Sequence, residues 1–118
     1  MQIPKFEDRK AWLAARKLMV SAYRVTAAKD FEEDTDLRVQ IRRASVSLLT
    51  EVSDLFQAST RPDAIRCFRK ARHSVTNLQS HLYLAADRYY IEPETFDELN
   101  DSAQEVKESI AEYFERRP

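Results

Sequence analysis

Glycine is absent from this sequence altogether. Glycine is the usual residue for positive φ, for tight hairpins and for loops that cradle phosphate. Its absence excludes the glycine-rich nucleotide motifs. With Ala, Leu, Glu, Arg and Lys abundant, it also points to an all-α chain. Cysteine is nearly absent: Cys67 stands alone. No disulfide can close within the chain and no thiolate cluster can form there, which fits a reducing compartment. No eighteen uncharged apolar residues occur in succession, and "MQIPKFEDRK" has no apolar run of the signal-peptide kind. A soluble, cytoplasmic protein without membrane contact is therefore expected. A large excess of charge is missing too. Lys and Arg number 19 against 20 Asp and Glu, a net charge of −1, which argues against a surface basic all over. A length of 118 residues suits one domain, 1–118, with one modest core.

What the sequence does have is helical periodicity in four segments, expected at roughly 7–28, 36–58, 61–91 and 93–116. In the first, Ala11, Ala15, Leu18, Ala22 and Val25 recur in steps of three and four, with Trp12 and Met19 alongside. "KDFEEDTD" breaks the pattern, and Asp34, Thr35 or Asp36 can cap the next helix. The second segment carries two apolar stripes. Leu37, Ile41, Ala44, Leu48, Val52 and Leu55 form one; Val39, Val46, Leu49 and Phe56 form another, centred roughly 130° away. "TRPD" supplies Thr60 as N-cap, Asp63 three residues on, and Pro62 in the first turn, where its missing N–H is harmless. The third segment shows the cleanest seam: Phe68, Ala71, Val75, Leu78, Leu82, Ala85 and Tyr89. "IEPE" separates it from a fourth with Phe96, Leu99, Ala103, Val106, Ile110 and Tyr113 or Phe114, whose opposite face is almost purely acidic. Four such helices on short loops make antiparallel neighbours, so an up-and-down four-helix bundle is expected. A helix with two apolar sides needs a partner beyond its own bundle. An identical subunit is always at hand, so Val39, Val46, Leu49 and Phe56 are the candidate oligomer interface.

The order of motifs resembles a known family. An aromatic start with a tryptophan, "FEDRKAW", precedes "LRVQIRRASVS" (Leu37–Ser47), "ARHSVTNLQSHLYLA" and "RYYI". The chain is similar to the four-helix bundle proteins encoded by intervening sequences in 23S rRNA genes, whose signature is Leu-x-x-Gln-Ile-Arg-Arg-Ala-x-x-Ser. Relatives include the accessory variability proteins of diversity-generating retroelements. The likeness departs where the family continues Ile-Pro-x-Asn-Ile-Ala-Glu-Gly. Here "LLTEVSDL" puts Leu49 for the proline, Glu51 for the asparagine, Asp54 for the glutamate and Leu55 for the glycine. A Gly-Ser pair becomes His73-Ser74, and two frequent glutamates become Asn77 and Gln79. The resemblance implies a closed homo-oligomer, a pentameric ring of bundles. Its retroelement branch suggests nucleic acid as a partner.

Catalytic and metal constellations are not apparent in the residues. His73 and His81 lie eight apart, projecting about 80° from each other, where metal-binding pairs on a helix stand three or four apart. Ser45, Ser47 and Ser74 have no base at a useful spacing and read as back-bonding or small packing residues. Cys67 reads as a small buried side chain. No enzyme activity, cofactor or metal is expected. Charge is distributed unevenly: eight Lys/Arg against three Asp/Glu over 37–73, a balance of +5, and three against nine over 92–118, a balance of −6. Arg38, Arg42, Arg66, Arg69, Lys70 and Arg72 form a candidate basic patch for nucleic acid or a protein partner, repeated around a ring. Arg43 is expected in a structural ion pair with Glu51, Asp54 or a neighbouring copy, with Arg42 left open. The expected role is a non-enzymatic self-assembling scaffold; the alternative is an RNA- or DNA-binding accessory protein.

Overall fold

Local chemistry at the loops sets where each helix begins and ends. The computed structural model describes residues 6–117, with side chains from Lys10 onward. It contains α1 (Phe6–Thr26), a short 3-10 turn (Lys29–Phe31), α2 (Thr35–Gln57), α3 (Arg61–Asp87) and α4 (Pro93–Arg116). Among the described residues the fold is all-α, with four helices and no strand. Of the three candidate caps for α2, Asp34 takes the role, accepting a hydrogen bond from the Leu37 amide at 3.2 Å. Thr60 caps α3 through the Asp63 amide at 3.3 Å, with proline in the first turn.

The third helix stops four residues short of the expected end at 91. Tyr89 adopts a left-handed backbone, φ 62°. The Tyr90 amide then bonds back to the Ala85 carbonyl at 2.9 Å and the Tyr89 amide to Ala86 at 3.0 Å. This is the helix-ending motif that normally places glycine at the left-handed position. A chain without glycine must put something else there, and here it is a tyrosine. Tyr89 therefore leaves the seam and stands 87 % exposed.

Each helix packs on its neighbours in sequence, and α4 returns to α1. Lys10 reaches Glu112 at 3.5 Å and Arg88 reaches Asp34 at 2.7 Å, so neighbouring helices run antiparallel. The interior is the set that the first stripe of each helix supplies. All six residues of the main α2 stripe are buried, as are Ala11, Ala15, Leu18 and Ala22 from α1. Leu78 and Leu82 of α3 meet Leu99, Val106 and Ile110 of α4 in the same interior. Phe31, in the segment that breaks the periodicity, is fully buried and tilts against Tyr90 with ring centroids 5.2 Å apart. Among the described residues no helix is long and apolar enough to cross a membrane.

Candidate interaction surfaces

The second α2 stripe divides. Leu49 and Phe56 are half-buried against the chain's own core, and Phe56 meets Tyr113 edge-on at 4.8 Å. They are less free than a pure interface stripe would be, because the chain's own aromatics cover that end of α2. Val39 is half-buried and Val46 is 41 % exposed. The outward side of α1 adds Leu13 at 42 %, Val20 at 47 % and an exposed Tyr23. Leu13 and Val20 are seven apart, as are Val39 and Val46, so each pair shares one helix face. Two helices that pack on each other thus both turn apolar side chains to solvent. The α1 half of this surface was missed from sequence, although the seven-residue spacing of Leu13 and Val20 was there to find.

Arg42, whose role the sequence left open, is held within the chain, whereas Arg43 pairs with neither Glu51 nor Asp54 among the described residues. Arg42 is half-buried, its Nε donating to Thr26 Oγ1 at 2.9 Å and its Nη2 to the Tyr23 carbonyl at 3.2 Å. Its guanidinium lies 4.7 Å from the Tyr23 ring centroid. It ties α2 to the last turn of α1, where the helix leaves carbonyls without amide partners. Arg43, one position on, is exposed and forms no ion pair among the described residues; its expected partner Glu51 bonds elsewhere. The physical reason is the turn of about 100° per residue, which carries Arg43 away from α1.

The candidate basic patch is partly spoken for by the chain itself. Arg66 pairs with Asp63 at 3.2 Å, and Arg72 lies over the Phe68 ring at 5.4 Å. Arg38 is half-buried, while Arg69 and Lys70 are exposed without an ion pair among the described residues. These side chains are drawn from two helices, α2 and α3.

The rewritten family signature lies along a groove between α2 and α3. Glu51, Asp54, Asp63, Arg66, Cys67 and Lys70 line this open space of about 190 Å³. Ser74 Oγ donates to Glu51 Oε2 at 2.5 Å across the two helices. Burial raises the Glu51 pKa above the ordinary carboxylate value; the Ser74 hydrogen bond and the charges of Lys70 and His73 offset this only in part. Ser74 thus bridges helices and does not back-bond, whereas Ser45 does bond back, to the Arg42 carbonyl at 2.8 Å. His73 is exposed, and His81 Nδ1 meets the Asn77 carbonyl at 2.7 Å. Cys67 is buried on the groove wall.

At the opposite end of α3, one carboxylate gathers three partners. Asp34 accepts from the Leu37 amide, from Arg88 Nη1 at 2.7 Å and from the Tyr90 hydroxyl at 3.1 Å. The Leu37 amide chiefly holds its pKa below the usual value; burial, next in size, opposes it, and the Tyr90 and Arg88 contacts lower it further.

A family model described as 23S rRNA-intervening sequence protein matches residues 7–112. The chain belongs to that family. No curated protein is matched by the sequence. Among solved structures, this intervening sequence protein is similar to a protein of unknown function from the S23 ribosomal protein family of Bacteroides thetaiotaomicron VPI-5482. The TM-score is 0.78 at 18 % identity, covering 93 % of this chain and 99 % of the other. At that identity the likeness shows the shared four-helix fold.

Proposed function

We propose that this intervening sequence protein is a non-enzymatic, self-assembling four-helix bundle that acts as a structural or protein-interaction scaffold. The observation that carries the reading is the outward apolar surface of α1 and α2, where Leu13, Val20 and Val46 are each more than two fifths exposed. Apolar side chains concentrated on two adjoining helices mark a protein contact more often than scattered single ones do. A second copy of the chain is the occupant, and copies related by rotation close into a ring; five is the number that the family resemblance brings. The cations tied inside the chain by Asp63, Phe68 and Tyr23 support a protein-binding scaffold over a nucleic-acid track. Light scattering on the purified protein tests this. A mass several times 13.8 kDa is expected. A chain that stays folded and monomeric at working concentrations overturns the reading.

A further inference from the structure

We propose that the notch between the last turns of α3 and the first turn of α4 binds an arginine side chain from a basic segment of a partner protein. Tyr83, Tyr89 and Phe96 supply aromatic rings to this space of about 290 Å³, and Glu92 and Asp97 stand on its rim. Tyr83 and Phe96 tilt against each other with centroids 4.6 Å apart, which fixes one wall. Tyr83 is more than half exposed and Tyr89 almost fully so, which leaves ring faces open to solvent.

The charge around the notch is of one sign. Glu92, Glu94, Asp97 and Glu98 fall within seven residues that hold no Lys or Arg. Neither Glu92 nor Asp97 is in an ion pair among the described residues, and neighbouring Arg88 is turned to Asp34 at 2.7 Å. The α3 C-terminus and the α4 N-terminus meet at this corner, so their opposite partial charges largely cancel and the carboxylates set its sign. Aromatic faces and carboxylates together attract a cation. A planar guanidinium suits them best, because it lies flat on a ring while its N–H groups reach a carboxylate.

Tyr89 itself strengthens the case. It occupies a backbone conformation that disfavours bulky side chains, and its exposure shows that it gains little from packing. The helix-ending role needs the left-handed backbone but no large side chain, so the exposed ring is left available to a ligand. The notch lies on α3 and α4, whereas the apolar surface proposed for assembly lies on α1 and α2.

The test is a titration of the isotope-labelled full chain with acetyl-triarginine amide at 0.15 M salt, followed by amide chemical shifts. Saturable changes confined to the surroundings of Tyr83, Tyr89, Glu92, Phe96 and Asp97 are expected. Tyr89→Ala should weaken binding about 2- to 5-fold, and Glu92→Gln with Asp97→Asn should weaken it as well, while thermal unfolding shows that each variant is folded. The neutral tricitrulline peptide should not bind. Equal binding by Tyr89→Ala, equal binding of tricitrulline, no binding, or changes spread along the acidic face at Glu105, Glu108 and Glu112 would each overturn the proposal. So would a Tyr89→Ala chain that loses assembly mass yet binds the peptide normally, since the notch would then hold a second copy.

Discussion

Replacing Val46 by aspartate separates assembly from folding. Val46 is 41 % exposed, so most of what it contributes to its own bundle stays in the partly covered side chain. Full burial of a valine is worth at least about 1.5 kcal/mol, so covering the remaining two fifths adds about 0.6 kcal/mol per copy. Aspartate forfeits that and must also shed water from a carboxylate, a penalty of several kcal/mol that the exposed Arg43 one turn earlier offsets only in part. A loss of about 3 kcal/mol in each contact weakens it more than about 100-fold. Within one bundle the change is mild, because valine and aspartate have similar helix propensities at an exposed position. Light scattering should therefore show the mass falling to 13.8 kDa, while circular dichroism shows helicity retained. An unchanged mass would falsify the placement of this surface between copies. Lost helicity would put Val46 in the core, against the exposure seen.

Four further outcomes follow from the local geometry. Arg42→Ala removes the hydrogen bonds to Thr26 and Tyr23 and should lower stability to urea by about 1.5–3 kcal/mol; Arg43→Ala should stay within about 0.5 kcal/mol. Tyr89→Gly relieves the left-handed backbone and should raise stability by about 1 kcal/mol while weakening triarginine binding as Tyr89→Ala does. Asp34 has a depressed pKa, so its stabilisation is present above the ordinary carboxylate value of 3.8 and is lost as pH falls through the folded value. The urea midpoint of Asp34→Ala should accordingly lie well below that of the parent at neutral pH and converge on it in acid. Glu51 has a raised pKa, so the folded chain holds that proton to higher pH, and stability falls as pH rises from 4.5 through the folded value. Glu51→Gln still accepts from Ser74 and should unfold at a higher temperature than the parent at pH 7, with the gain vanishing below pH 4.5.

The features legible from sequence are those that repeat along one helix. The six-residue α2 stripe, the Thr60 and Pro62 start of α3 and the Leu99–Ile110 run of α4 all depend on steps of three and four or on a neighbour three residues away. Contacts between helices have no such period. Whether Arg42 or Arg43 faces α1 turns on one residue of rotation, and the Ser74 bond to Glu51 spans 23 positions. The end of α3 was misplaced for another reason. The sequence signal that normally announces a left-handed helix end is glycine, and Tyr89 carries that conformation without it. Phe31 was hidden by its setting among charged residues, though it is the largest fully buried side chain of the described chain.

The Asp34 carboxylate links the start of α2 to the end of α3 through partners 54 and 56 positions away. One proton added to that group loosens both helix ends at once. Neither end can fray alone without surrendering bonds held by the other. In deuterium exchange the amides of Leu37 and Tyr90 should open together, as one cooperative unit, although more than fifty residues separate them along the chain.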